Sequence, residues 1–243
     1  MRYEKKGQIA LIAVHSDLTV GMGEGAGQDA SIRSVGETLA CQGWRIDLFT
    51  RQASPDQPAI AESAPGCRTI RLKAGPAEFM EGDRLFEHLP EFVESFLQYQ
   101  QQTQIVYPLL HTHNWLSGWV GLHIKDSQPA KMVHTPHSLG AVEYQSAEAV
   151  PPIATTRMTV ERACLEKADR VVAASPQEQE QMRSLLSPHA EIEVISHDTD
   201  SQGAAQLDQL YLTLLAELWR DFSAPDATTQ EKTHELQANL SRP

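Results

Sequence analysis

Residues 105–142 read IVYPLLHTHNWLSGWVGLHIKDSQPAKMVHTPHSLGAV, and the order of patterns inside them decides the fold. An apolar run, Ile105–Leu110, ends in the polar cluster His111-Thr112-His113-Asn114. A helical stretch over Leu116–Lys125 follows, and a second short apolar run, Lys131–His134, ends in Thr135-Pro136-His137-Ser138. Strand, helix and strand joined by short polar turns form a parallel crossover unit. In such units the carboxyl ends of the strands carry the ligand-facing residues.

The same alternation extends in both directions. Further strands are expected at Ile9–Val14, Arg45–Phe49, Arg68–Leu72, Arg170–Ala174 and Glu191–Ile195. Helices are expected at Asp29–Gln42, Arg84–Gln102, Arg157–Lys167 and Pro176–Leu186. Leu85, Phe86, Leu89, Phe92, Val93, Phe96 and Leu97 fall at helical spacing and give one apolar face. Gln52–Pro65 and Ala147–Ala154 read as loops. After Asp200 the pattern changes. Leu207, Leu210, Tyr211, Leu214, Leu215, Leu218, Trp219 and Phe222 form an apolar stripe on a helix from about Ala205 to Phe222, which must be buried to be stable. The polar stretch 223–243 is expected to be disordered. The expected architecture is α/β: a single Rossmann-like domain over 1–200 with a mostly parallel sheet of six or seven strands. A C-terminal amphipathic helix, 201–222, docks on it.

Composition narrows the function classes. A net charge of −12 leaves no basic surplus to neutralise nucleic-acid or anionic-lipid phosphates. The three cysteines, Cys41, Cys67 and Cys164, are widely spaced and fit thiols in a reducing compartment. No apolar run approaches membrane-spanning length, and Gln8–Val14 reads as a first buried strand rather than a signal segment. The expected location is cytoplasmic.

Two constellations carry candidate chemistry. Gly21, Gly23, Gly25 and Gly27 fall between the first strand and the first helix, where bare backbone N–H groups and a helix N-terminus could approach an anion. The spacing Gly21-Met22-Gly23-Glu24-Gly25-Ala26 also fits a dinucleotide fingerprint, but the second strand closes on Thr50-Arg51 instead of an acidic residue. A merely flexible loop is the plain alternative. The histidines of HTHNW and HTPH either line a polar crevice, act as proton carriers, or bind zinc. Without neighbouring cysteines or a firm carboxylate the zinc pattern is weak, so no metal and no cofactor is assigned.

Several stretches then resemble one family in its own order. They are Ala26-Gly27-Gln28, Gly43–Arg51 (GWRIDLFTR), Ala74-Gly75-Pro76 with His88–Val93 (HLPEFV), and His111–Gly121 (HTHNWLSGWVG). His134–Val142 (HTPHSLGAV), Glu161–Gln177 (ERACLEKADRVVAASPQ) and Val194–Asp200 (VISHDTD) complete the set. The chain resembles the N-terminal, acceptor-side lobe of retaining GT-B transferases of glycosyltransferase family 4, in the bacterial sucrose-phosphate synthase and sucrose synthase branch. The resemblance implies an acceptor site lined by Gly27, Gln28, His113 and Trp115, with His137 as the catalytic candidate and Arg157 helping to hold an acceptor phosphate.

Four departures bear on that site. Glu81-Gly82-Asp83 replaces a basic segment, Glu143 replaces a lysine after His-Ser-Leu-Gly, Asn114 replaces an aromatic, and Ser31 a tyrosine. The lost cations predict poor binding of phosphorylated acceptors. The family's donor lobe holds its nucleotide with a Glu-x7-Glu motif, and no two glutamates of this chain stand eight positions apart. QLDQLYLTLLAELWRDF (206–222) resembles the closing helix of these enzymes. The expectation is therefore a truncated, donor-lobe-less protein, inactive alone. It would serve as an accessory or regulatory protein in sugar metabolism. The alternatives are the acceptor half of a split transferase, partnered by a transferase or donor-lobe protein, and a stand-alone sugar-binding module.

Overall fold

The computed structural model describes residues 6–15, 26–145, 147–196 and 201–223. In chain order the elements are β1 (Gly7–Ile12), α1 (Ala26–Cys41), β2 (Trp44–Arg51), β3 (Ile60–Ala64), β4 (Cys67–Leu72), α2 (Gly82–Phe86), α3 (Leu89–Thr103) and β5 (Leu109–His113). They continue with α4 (Asn114–Ser127), β6 (Lys131–Thr135), α5 (Gly140–Glu143), α6 (Ala154–Lys167), β7 (Arg170–Ala173), α7 (Pro176–Leu185), β8 (Ile192–Val194) and α8 (Ser201–Ser223). The eight strands form one sheet in the order β3-β4-β2-β1-β5-β6-β7-β8, parallel throughout except for the antiparallel β3–β4 pair. This is the Rossmann-like α/β domain expected, with one strand more than the sequence predicts.

Period-two alternation sorts the strand residues onto two faces. Ala10, Ile12 and Val14 of the first strand segment join Phe49 and Leu110 in a cluster with Phe92 and Phe96 of α3 and Leu116 and Val120 of α4. Ile9, Leu11 and Ala13 turn the other way and pack with Ile32 and Leu39 of α1 and Tyr211, Leu214 and Leu218 of α8. A third cluster joins α7 to β7 and β8 through Met182, Val171 and Ile192. The sheet is therefore covered on both sides, as a parallel sheet requires.

The C-terminal helix closes the second face in cis. Trp44 Nε1 donates to Asp208 Oδ1 at 2.7 Å, Lys6 pairs with the same oxygen at 2.7 Å, and Trp44 meets Tyr211 edge-on at 5.9 Å between ring centroids. At its far end Glu217 pairs with Arg170 at 3.5 Å.

Three local departures from the sequence reading have simple causes. The helix expected over Arg84–Gln102 breaks at Glu87-His88, because Pro90 stands in the first turn of α3 and has no N–H to continue α2. The strand expected at Ile105–Leu110 starts at Leu109 and continues through the histidines, so the polar HTH is strand, not turn. β3 lies inside the stretch read as a loop; Ile60–Ala64 is a half-exposed edge strand with no alternating pattern to reveal it. The glycine-rich loop residues 21–25 and the tail 224–243 lie outside the described residues.

Close packing of α4 on the sheet depends on two glycines. A Cβ on Gly121 would lie 2.4 Å from Thr112 Cγ2, and one on Gly118 would lie 2.5 Å from Cys164 Sγ and 2.8 Å from His134 Cε1. The sequence LSGWVGLH thus brings α4 down onto β5 and β6 at the point where the histidines stand.

Candidate acceptor crevice

The histidines separate by strand parity. His111 and His113 of β5 and Thr135 of β6 face α1 and α8, where they line a cavity of about 30 Å³ together with Ser31, Ile32 and Leu207. That space is too small for a sugar ring. His134 points to the opposite face and is fully buried beside Gly118. Its Nδ1 shares a 2.8 Å hydrogen bond with Thr112 Oγ1, its Nε2 has no hydrogen-bond partner among the described residues, and burial lowers its pKa to about 3. A neutral core histidine in that position does not reach the crevice.

A chain of hydrogen bonds orders the crevice side. Tyr211 of α8 contacts His111 Nδ1 at 2.5 Å, and His111 Nε2 lies 2.8 Å from Thr135 Oγ1. Burial raises the Tyr211 phenol well above its usual range, so the hydroxyl stays protonated. Both ring nitrogens of His111 thus face hydroxyls, Tyr211 on one side and Thr135 on the other, and each hydroxyl can donate or accept to match the ring. His113 Nδ1 and His137 Nε2 are 2.9 Å apart with rings nearly parallel. One of the two must carry the proton and the other the lone pair, so this contact cannot survive double protonation. His137 follows Pro136 and adopts a left-handed backbone, φ 63°, a conformation stored at few non-glycine positions. Asn114, also left-handed at φ 72°, turns the chain from β5 into α4; asparagine tolerates this conformation far better than an aromatic side chain would.

On its other side His137 lines a second cavity of about 250 Å³ with Ser138, Leu139, Val142, Glu143, Glu178 and Gln181. Arg157 stands behind it. Its Nε donates to Glu161 Oε1 at 2.7 Å, Nη1 to Glu143 Oε2 at 2.6 Å, and Nη2 to Ser138 Oγ at 2.9 Å. Burial opposes the charge on Arg157, yet Glu143 and Glu161 more than offset it and hold the guanidinium firmly protonated. Burial would likewise raise the Glu143 carboxyl, but Arg157 and Ser138 pull it below the ordinary carboxylate range. Glu161 has no exposed side-chain surface and accepts the Gly140 N–H on both oxygens, at 2.9 and 3.0 Å, which ties α6 to the start of α5.

The structure brings together His113 and His137, and reaches Arg157 through Ser138. Trp115 lies elsewhere: it is buried in the α3–α4 face, stacked on Phe86 at 5.5 Å. Gly27 and Gln28 fall in the first turn of α1, one turn before the cavity-lining Ser31 and Ile32; the Gln28 side chain lies outside the described residues. At the end of β2, where a dinucleotide fold needs a carboxylate, Arg51 is buried. It donates to the carbonyls of Pro76 at 2.7 Å and Glu78 at 2.5 Å, fixing the loop after β4. Among the described residues no group of three or more His, Cys, Asp or Glu side chains is gathered for a metal ion, and no helix is long and apolar enough to cross a membrane.

A mostly parallel sheet with a polar crevice at its carboxyl edge, closed from behind by α8, defines a Rossmann-like α/β lobe. The chain belongs to the glycosyl transferase 4-like family, whose domain model matches residues 26–197. It is 35% identical over 176 residues to the D-inositol 3-phosphate glycosyltransferase of Corynebacterium efficiens, a match covering 71% of this chain and 41% of that protein. The corresponding enzyme of Corynebacterium glutamicum is 30% identical over 207 residues, 79% of this chain and 49% of that one. The chain thus spans less than half the length of these curated relatives. Among solved structures it is similar to the sucrose-phosphate synthase of Thermosynechococcus elongatus, with 42% identity, a TM-score of 0.71, and coverage of 79% of this chain and 48% of that one. A shorter chain of the same synthase, designated by the ranges 27–220 and 406–426, is covered to 99% and covers 86% of this chain, at 38% identity and a TM-score of 0.70.

Proposed function

We propose that this chain is an acceptor-side glycosyltransferase lobe that performs no transfer by itself and acts as an accessory or regulatory protein in sugar metabolism. The observation that carries this reading is that only the six residues 195–200 separate β8 from α8 in the sequence. In the family that the chain belongs to, the nucleotide-sugar lobe stands between the first lobe and its closing helix; here α8 packs on the first lobe at once. Retaining transfer needs donor and acceptor held against each other, and a single lobe supplies only one of the two surfaces.

The test combines two assays. The purified chain incubated with nucleotide-sugars and a panel of hexose, hexose-phosphate and inositol-phosphate acceptors is expected to give no product. Added to full-length family 4 transferases of its own cell, it is expected to change their rate or KM. Sugar transfer by the pure chain overturns the reading. A second reading, the acceptor half of a split transferase, is favoured by Phe79 and Val150. These are 80% and 58% exposed on the loops after β4 and α5, at the carboxyl edge where a donor lobe would face. Recovery of a solitary donor-type lobe in stoichiometric amount, with activity restored in the complex, would select that reading.

A further inference from the structure

We propose that the pocket between α5 and α7 takes an uncharged, polyhydroxylated ligand of monosaccharide size, and that Glu143 bars phosphate esters from it by sitting on Arg157 as a built-in anion. The inference rests on the reading of this edge as the acceptor side, and it names the class of molecule that fits there.

Three observations support it. First, the guanidinium is already occupied on each of its edges, by Glu161, Glu143 and Ser138 at 2.6–2.9 Å, and its side chain is only 11% exposed. Three of its five N–H donors, one on each nitrogen, are taken, so an incoming phosphate must compete with Glu143 for the guanidinium. Bidentate recognition, which makes arginine an anion anchor, is spent inside the protein. Second, the local charge is of the wrong sign for an anion. One guanidinium faces the carboxylates of Glu143 and Glu161, and Glu178 adds a third at the pocket wall. Third, the wall chemistry suits a sugar. Glu178 uses one oxygen to accept the Ala174 N–H at 2.5 Å, leaving the other for a hydroxyl donor, and Gln181 both donates and accepts. Leu139 and Val142 give an apolar wall for the C–H face of a ring. At about 250 Å³ the space, open to solvent on one side, is close to the smallest common ligand pockets, roughly 300 Å³, and accommodates a small molecule.

The inference is tested by calorimetric titration of the full chain and of Glu143→Gln with glucose, fructose and myo-inositol, and with a phosphate ester of each. The wild type is expected to bind at least one uncharged member, and to bind its ester weaker by roughly tenfold or more. In Glu143→Gln the ester is expected to gain about tenfold relative to its parent sugar, a gain that fades with added salt. Melting curves show whether the variant is folded, and the wild-type comparison stands without it. Equal binding of ester and parent sugar by the wild type overturns the proposal, as does a folded Glu143→Gln with no gain, or failure of the whole panel to bind. Transfer of sugar by the purified chain would sink the accessory reading while leaving these binding ratios as measured, so the two failures are distinguishable.

Discussion

At the residue scale, strand parity decides what each histidine does. His111 and His113 were legible in the sequence as strand-end histidines, and alternation from Leu109 places both on the crevice face. Alternation from Lys131 sends His134 to the core, which the motif HTPH alone does not reveal. Its folded pKa, about 3, lies below the ordinary value near 6.5. Between those two pH values the unfolded chain binds the extra proton, so stability is fully present above about pH 6.5 and falls as the pH drops toward 3. Urea unfolding measured from pH 8 to pH 4 should therefore show His134→Asn flattening the acid limb by on the order of a few kcal/mol; an unchanged slope would remove His134 from that account. Gly118→Ala forces a methyl group into the His134–Cys164 contact and is expected to cost about 1–3 kcal/mol in the same assay. Neither Trp115, a stacking partner of Phe86, nor the Glu143–Arg157 pair could be placed from sequence, since both depend on which neighbours the fold supplies.

At the element scale, the periodic helices were legible and the weak elements were not. The stripe from Leu207 to Phe222 predicts α8 and its burial; the structure buries it from Leu207 to Leu218, over Ile9, Leu11 and Trp44 on the face shared with α1, but leaves Trp219 59% exposed beyond the sheet it was expected to cover. Leu214→Ala, at a position with no exposed surface, is expected to destabilise the fold by about 2–5 kcal/mol. Tyr211→Phe keeps the ring but removes the buried hydrogen bond between the hydroxyl and His111 Nδ1, with an expected cost of about 1–3 kcal/mol. Denaturant midpoints check both, and their order tests whether packing outweighs the hydrogen bond. β3 and the one-turn α5 escaped the sequence reading because neither has a period long enough to register. α5 is held instead by Glu161, which caps Gly140 from another helix.

At the scale of the whole molecule, α8 makes the lobe a closed body. Deleting residues 201–223 uncovers an apolar sheet face and should replace cooperative thermal unfolding with a broad transition and strong binding of a hydrophobic dye. Sheet order and helix layering followed from the alternation of patterns. The extra strand and the sealing of the crevice depended on contacts far apart in sequence, as between Tyr211 and His111. The junction between β8 and α8 has one further consequence. Ile195 and Ser196 on one side and Gly203 and Ala204 on the other line the same small cavity, so the described residues flanking the segment 197–200 are neighbours in space. A guest module whose own ends lie close together can be spliced in at such a doorway without disturbing the host. The same geometry lets evolution remove a module as cleanly as it adds one, and it gives the protein engineer a place to couple a reporter or a second domain to the crevice beside it.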